Sequence, residues 1–250
     1  VDRLLEATYR AEQSHFWFRG FARFVQPLIE QAIEGVDRPE ILDCGCGTGA
    51  NMKRLSRYGR VAGFDISHHG LLFAQSYDQR RTVRASITEI PFASARFDLV
   101  TSFDVLSTLD DAMERNALTE IHRVLKPGGA LIVNTAALPF LRGQHAVFAS
   151  EVRRLTRKEL RASLERSGFT ISRLTYTNFS LLPLMVPVRA AQRLIGLSTP
   201  EETGADIGTP PAPVNATLSG LLAAEAFALR FVNMPLGSSL LALARKGRRP

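Results

Sequence analysis

The stretch Leu42-Asp43-Cys44-Gly45-Cys46-Gly47-Thr48-Gly49 constrains the fold of this chain more than any other. It follows a short apolar run, Ile41-Leu42, and opens into a helical segment over 50–58. Glycines at alternate positions let the backbone turn sharply and let a ligand approach without Cβ atoms in the way. The amino end of the next helix adds partial positive charge and free N–H groups. Asp65 ends the next apolar run, Val61-Ala62-Gly63-Phe64. A carboxylate at that point accepts hydrogen bonds from both hydroxyls of a ribose. The pattern predicts a ligand held at a strand–turn–helix corner.

The segments around this corner alternate between strand and helix. Val83 to Ala85 and Phe97 to Phe103 are predicted strands. Residues 111–125 follow as a helix with Ala117, Leu118, Ile121, Val124 and Leu125 on one face. Lys126 to Gly129 is a predicted turn and Ala130 to Asn134 a fifth strand. Thr156 and Glu159 form a capping box that opens a helix over 156–168, with Gly168 at its end. Thr170 to Tyr176 and Ser239 to Ala244 read as the last strands. Strands separated by helices imply βαβ units and a mostly parallel α/β sheet. Residues 1–36 read as helical, interrupted by the aromatic cluster His15-Phe16-Trp17-Phe18. Two apolar helical stretches, 181–197 and 214–232, are joined by a loop over 198–213 rich in Pro, Gly and Thr.

Composition narrows the class. The chain of 250 residues has 45% apolar and 22% charged residues, enough for one domain with a substantial core. A net charge of +7 permits an anionic partner, but the arginines are scattered, which favours a solvated basic surface. Cys44 and Cys46 are too close in sequence for an unstrained disulfide and lack the further ligands of a zinc site, so no metal is expected. Both read as reduced residues of a cytoplasmic protein. No apolar leader core and no transmembrane run is found.

Gly45-x-Gly47-x-x-Ala50 also fits a dinucleotide fingerprint. The order of the later motifs separates the two readings. Asp43 to Gly49, Asp65, Pro91-Phe92, Phe97-Asp98-Leu99-Val100 and Leu125-Lys126-Pro127-Gly128-Gly129 occur in register. In this the chain resembles the class I S-adenosylmethionine-dependent methyltransferases. A dehydrogenase would also need a hydride-transfer acid, and no Tyr-x-x-x-Lys run is present. The resemblance implies a Rossmann-like sheet of seven mostly parallel strands with helices on both faces, and S-adenosyl-L-methionine as cofactor. It implies that Gly45, Cys46, Gly47 and Gly49 line the methionine and ribose part, with Asp43 near the amino group. Asp65 would hold the ribose, Ile66 and Ile87 would pack on adenine, and Ser86 stands where many relatives carry Asp. Phe103 and Asp104 would face the methionine end.

The acceptor side is less conventional. Many relatives read Asp-Val-Leu-Glu-His after strand four, whereas this chain has Asp104-Val105-Leu106-Ser107-Thr108, which removes that His as a base. Glu12-Gln13-Ser14-His15-Phe16-Trp17-Phe18-Arg19 resembles the Glu-x-x-His-Trp-Trp-Phe-x-x-Arg run of one subgroup, in which this segment closes over the cofactor. His15, together with Tyr9, is then a candidate base or substrate-orienting residue, or else His15 is a helix cap amid core aromatics. His145, Arg153, Arg154 and Thr156 remain from a second run of that subgroup and offer a further candidate in His145, against the alternative of a structural loop.

The expected organisation is a single domain over 1–250. Residues 1–36 form an amino-terminal helical cap segment, 40–178 with 236–246 the core, and 179–235 an inserted helical cap. Phe179, Leu181, Leu182, Leu184, Met185 and Val186 would wall an apolar pocket. The expected function is methyl transfer, by in-line displacement, to a small hydrophobic or aromatic metabolite. Methylation of tRNA or rRNA, and a non-catalytic cofactor-binding role, are the alternatives. Nucleic acid is not expected as a partner. Membrane-surface contact through Arg189 and Arg193 on one side of an apolar helix is the lesser reading for the cap.

Overall fold

The computed structural model describes residues 2–143, 146, 149–195 and 208–247. His145 lies outside the described residues, as do 198–207 of the expected loop. Two helices open the chain, α1 (Asp2–Ala11) and α2 (Phe16–Ala32). The alternating part follows: β1 (Glu40–Cys44), α3 (Ala50–Leu55), β2 (Arg60–Asp65), α4 (His68–Ser76), β3 (Thr82–Arg84), β4 (Phe97–Phe103), α5 (Asp111–Val124) and β5 (Leu125–Ala136). After it come α6 (Arg157–Arg166), β6 (Phe169–Thr177), α7 (Leu182–Ile195), α8 (Ala212–Ala228) and β7 (Ser239–Lys246).

The seven strands form one sheet in the order β3-β2-β1-β4-β5-β7-β6. β1 to β5 run parallel, and β7 is antiparallel between β5 and β6. The chain leaves β1 toward β2 and β3 on one side, then returns to β4 and β5 on the other. The order reverses between β1 and β4, and in open α/β sheets the crevice outside the carboxyl ends of strands at such a point takes the ligand. β7 runs the other way, so its amino end reaches the same edge.

Alternate residues of the strands feed two cores. Leu42, Phe64, Val100, Leu131 and Val133 join Leu118, Ile121 and Leu160 of α5 and α6 on one face. Ile41, Val61, Leu99 and Ile132 join Phe24 and Leu28 of α2, Met52 of α3 and Leu222 of α8 on the other. Strands covered on both faces read as unbroken apolar runs, which is why Ile41-Leu42 and Leu131-Ile132-Val133 carry no polar alternation.

Two boundaries moved for local reasons. The predicted turn Lys126 to Gly129 lies within β5: Phe97 pairs with Leu125 and Leu99 with Ala130, so the turn is a bulge between paired residues, with Gly128 at φ 80°. The helices expected over 181–197 and 214–232 are described as Leu182–Ile195, with 196–197 outside the described residues, and Ala212–Ala228. The Thr156–Glu159 capping box is present, and Gly168 sits at φ 84° just beyond α6.

The cap is fastened by a buried acid. Glu225 of α8 accepts from the backbone N–H of Phe179 (3.0 Å) and Ser180 (2.9 Å) and from the Ser180 hydroxyl (2.5 Å), which holds the start of the α7 segment against α8. Glu225→Ala strands these donors and is expected to lower unfolding free energy by about 2–3 kcal/mol, measured by chemical denaturation.

Candidate functional site

The corner at the end of β1 is built from backbone. The N–H groups of Gly45 and Cys46 both donate to the Phe64 carbonyl at 2.9 Å, which ties the turn to β2. Gly45 has φ 72°, and a Cβ there would lie 2.4 Å from Val105 Cγ2, so the loop comes this close to the end of β4 because the side chain is missing. Asp65 completes the corner. Its Oδ2 accepts from Gly47 N and its Oδ1 from Ser67 N, both at 2.8 Å. Its carboxylate therefore ties the glycine corner to the turn after β2 at the cavity wall.

A cavity of about 790 Å³ opens at this edge of the sheet. Gly45, Gly47, Asp65, Ile66, Ser86, Ile87, Phe103 and Asp104 line it. Ile66 is 65% exposed on its rim, an apolar surface available to a flat ring. The Ser86 hydroxyl is shared with Thr88 Oγ1 at 2.7 Å.

Three expected ligand-facing residues stand elsewhere. Asp43 is buried below the turn, its Oδ1 accepting from Thr101 Oγ1 at 2.6 Å and its Oδ2 lacking a hydrogen-bond partner. Burial, and secondarily the Asp65 charge, push its pKa up to about 7, against the smaller downward pull of the Thr101 bond. Cys46 turns into the second core beside Met52, and both cysteines are free and buried. Gly49 starts α3 at φ 81°, where a Cβ would sit 2.7 Å from Ala74 Cβ, so it serves the packing of α4.

The amino-terminal helices roof the cavity with Leu4, Leu5, Thr8, Trp17 and Phe18. Tyr9 is not among the lining residues. Its ring stacks on Phe73 at 4.4 Å and its hydroxyl meets Ser76 Oγ at 2.9 Å, so it clamps α1 to α4. Buried Glu12 locks the same roof: it accepts from Thr48 Oγ1 of the glycine corner at 2.7 Å and from the Tyr77 hydroxyl at 2.9 Å. Desolvation raises its pKa despite these bonds. His15 lines the cavity and also caps α2, with Nδ1 accepting from Trp17 N at 3.2 Å. Burial lowers its pKa, so the ring is neutral with its proton on Nε2. In that state His15 is a hydrogen-bond donor, and service as a base would cost the cap.

Asp104, Glu151, Arg154 and Arg189 give the cavity a polar part of its lining. Arg154 and Glu151 form a buried pair, with Nε to Oε2 at 2.8 Å and Nη2 to Oε1 at 3.2 Å. Arg153, its neighbour in sequence, turns away to Asp111 and Glu114. Asp104 sits at φ 61° just past β4, held at two points by Asn134: its N–H donates to the Asn134 carbonyl at 2.8 Å and its Oδ1 accepts from Asn134 Nδ2 at 2.7 Å. Asp104 is exposed where it lines the cavity, and the surrounding protein still costs its charged form solvation. That desolvation, with the Glu151 charge, raises its pKa to about 7 against the pull of Asn134 and Arg154. Glu12, the Glu151–Arg154 pair and Arg189 were not assigned to the site from sequence. Glu12 carries a signal, since it opens the Glu-x-x-His run; the others meet only through folding.

Residues 42–133 match a family described as a methyltransferase domain. The chain is 31% identical to an uncharacterised methyltransferase of Synechocystis sp., over 62% of this chain and 77% of that protein. It is 33% identical to an O-methyltransferase of Aspergillus nomiae, over 42% of this chain and 50% of that one. The chain spans between 41% and 50% of the length of this and two other curated relatives it matches. Among solved structures, the geranyl diphosphate C-methyltransferase of Streptomyces coelicolor, in complex with S-adenosyl-L-homocysteine, superposes with a TM-score of 0.57 at 14% identity, covering 88% of this chain and 77% of that one.

The raised pKa of Asp104 has a signed consequence. Its contribution to stability is fully present below the ordinary value of 3.8 and is lost as pH rises through about 7, because ionisation is penalised in the folded state. The Tm of Asp104→Asn minus that of the parent is therefore expected to become more positive from acid to neutral pH, read by thermal unfolding over that range.

Proposed function

We propose that this chain, which belongs to the class I S-adenosylmethionine-dependent methyltransferases, methylates a small hydrophobic acceptor at a protic nucleophile whose proton passes to Asp104. S-adenosyl-L-methionine, the cofactor of this family, supplies when bound an electrophilic methyl group on a cationic sulfonium. The residues fit it. Asp65 places a carboxylate at the cavity wall where the ribose belongs, Ile66 and Ile87 offer apolar surface for adenine, and Ser86 offers a hydroxyl to its rim. The unpartnered Oδ2 of Asp43 puts negative charge beneath the corner where the cationic amino end belongs.

The position of Asp104 carries the reading. It adjoins Val105, whose side chain occupies the space beside Gly45, and it feels the charges of Glu151 and Arg154, which line the same cavity. A group raised to about 7 takes up a proton at neutral pH more readily than an ordinary carboxylate. The cavity volume, about 790 Å³, lies high in the range of about 300–1,000 Å³ for small-molecule sites, consistent with cofactor and acceptor side by side. Leu109, Met113 and Met185 give the acceptor an apolar bed. His15 acts as an orienting donor in this scheme, and the roof of α1 and α2 excludes water.

Asp65→Ala is expected to weaken binding of S-adenosyl-L-methionine by about two orders of magnitude, read by calorimetry, since charge-assisted hydrogen bonds are lost. Unchanged affinity would refute its ribose role. The acceptor class is tested by incubating the protein with isotopically labelled cofactor and a panel of phenols, quinols, prenyl alcohols and bulk tRNA, with products read by mass spectrometry. Label should enter apolar small molecules, and label in tRNA alone overturns the reading. On a turned-over acceptor, Asp104→Asn should lower kcat by about 10²–10⁴ with cofactor affinity retained. An unaltered kcat removes Asp104 as the base.

A further inference from the structure

The cap has a second surface that faces away from the cavity. On α8, Leu222, Glu225, Ala226 and Leu229 are buried. They press onto α2, where a Cβ on Gly20 would come within 2.3 Å of Leu222 Cδ1. The opposite side of the helix, through Thr217, Gly220, Leu221, Ala224 and Phe227, is exposed and uncharged. Phe231 extends this side beyond the last turn. Phe227 is 62% and Phe231 74% exposed, their rings 5.4 Å apart. α7 is divided in the same way. Met185 and Arg189, one turn apart, line the cavity, while Leu184 and Val188, also one turn apart, are 58% and 54% exposed. A helix seated on a water-soluble domain normally turns polar side chains outward. A concentration of exposed apolar side chains marks an interaction surface.

The exposed charges nearest this surface among the described residues are mostly basic; Glu30 on α2 is the acidic exception, and Glu201, Glu202 and Asp206 of the segment joining α7 to α8 lie outside the described residues. Over 179–195 and 208–238 the sequence holds a single acidic residue, Glu225, which is buried and bonded inside the cap. Arg230 is exposed between Phe227 and Phe231, and Arg19 and Arg23 are exposed on α2, the helix that packs against α8. The chain as a whole carries +7. A second copy laid symmetrically on this face would bring the exposed Arg230, Arg19 and Arg23 of each copy close together. A surface of anionic phosphates complements both features, apolar centre and basic rim.

We propose that the outward face of α7 and α8 docks on an anionic lipid bilayer, with Phe227 and Phe231 at the boundary between headgroups and acyl chains and Arg230, Arg19 and Arg23 toward the lipid phosphates. The contact is peripheral, since no helix among the described residues is long and apolar enough to cross a membrane. α7 then separates the bilayer from the cavity, presenting Leu184 and Val188 to one and Met185 and Arg189 to the other. Docking stands on the exposed face and its charges, and does not depend on the identity of the acceptor.

Co-sedimentation of the full chain with vesicles tests this. The protein should pellet with phosphatidylcholine–phosphatidylglycerol vesicles, less with phosphatidylcholine alone, and less again at high salt. The double variant Phe227→Asp/Phe231→Asp should lose about tenfold or more of the vesicle affinity while keeping its circular dichroism spectrum and its affinity for S-adenosyl-L-methionine. Arg230→Glu, a surface change that leaves the apolar face intact, should weaken binding to the anionic vesicles only. Absence of pelleting with either vesicle overturns the proposal, as does equal pelleting of parent and double variant. A dimer in sedimentation equilibrium that the double variant dissolves, without vesicle binding, assigns the face to a second copy instead.

Discussion

The bond between Asp65 and the Gly47 amide organises the site. One carboxylate at the tip of β2 accepts from the glycine corner of β1 and from the first turn after β2, so two neighbouring strands share one anchor. The anchor fixes the corner in a conformation whose glycines are needed for positive φ and for the close approach of Val105. In the proposed site a nucleoside ligand would meet the same carboxylate. The group that shapes the corner would then also read the ribose, and such preorganisation reduces what binding must order.

Negative charge is concentrated at this edge. Asp43 and Asp104 are both raised to about 7, chiefly by burial, and Asp65 lies close enough to Asp43 to contribute. Carboxylates in such surroundings are costly when ionised without a counter-charge. A cationic ligand relieves that cost, and loss of its charge on methyl transfer restores it. Electrostatics of this kind favours the cationic form of the cofactor over its neutral product. The Glu151–Arg154 pair in the same cavity is internally neutralised, so it adds polarity and geometry with little net charge.

The cap makes a cavity out of an open crevice. α1 and α2 are drawn over the corner by Glu12 and Tyr9, whose partners Thr48, Tyr77 and Ser76 belong to the corner and to α4 and its end. α7 and α8 are held together through Glu225. Each fastening is a polar bond between segments far apart in sequence, and each encloses apolar lining that the sheet alone would leave wet. The sheet brings the binding groups to one edge, and the caps decide how much water reaches them.

Local order was legible in the sequence because its causes are local. The glycine corner, Asp65 at the end of β2, the Thr156–Glu159 box and the unbroken apolar strands each act within a few residues, and they determined the α/β class and the cofactor edge. What lay outside that reach was decided by tertiary structure. Tyr9 and His15 belong to one segment, yet packing sends Tyr9 onto α4 and leaves His15 at the cavity with Nδ1 committed to a cap. Arg153 and Arg154 are adjacent in sequence, yet one serves α5 and the other the cavity. Nothing in the residues around Asp104 announces Asn134, which reaches it only because β4 and β5 pair in register. Sequence specifies which side chains a turn or a periodic stretch presents to one side. Which distant group they meet depends on how the strands and caps close around them, and that closure sets the burial and the pKa values on which the chemistry depends.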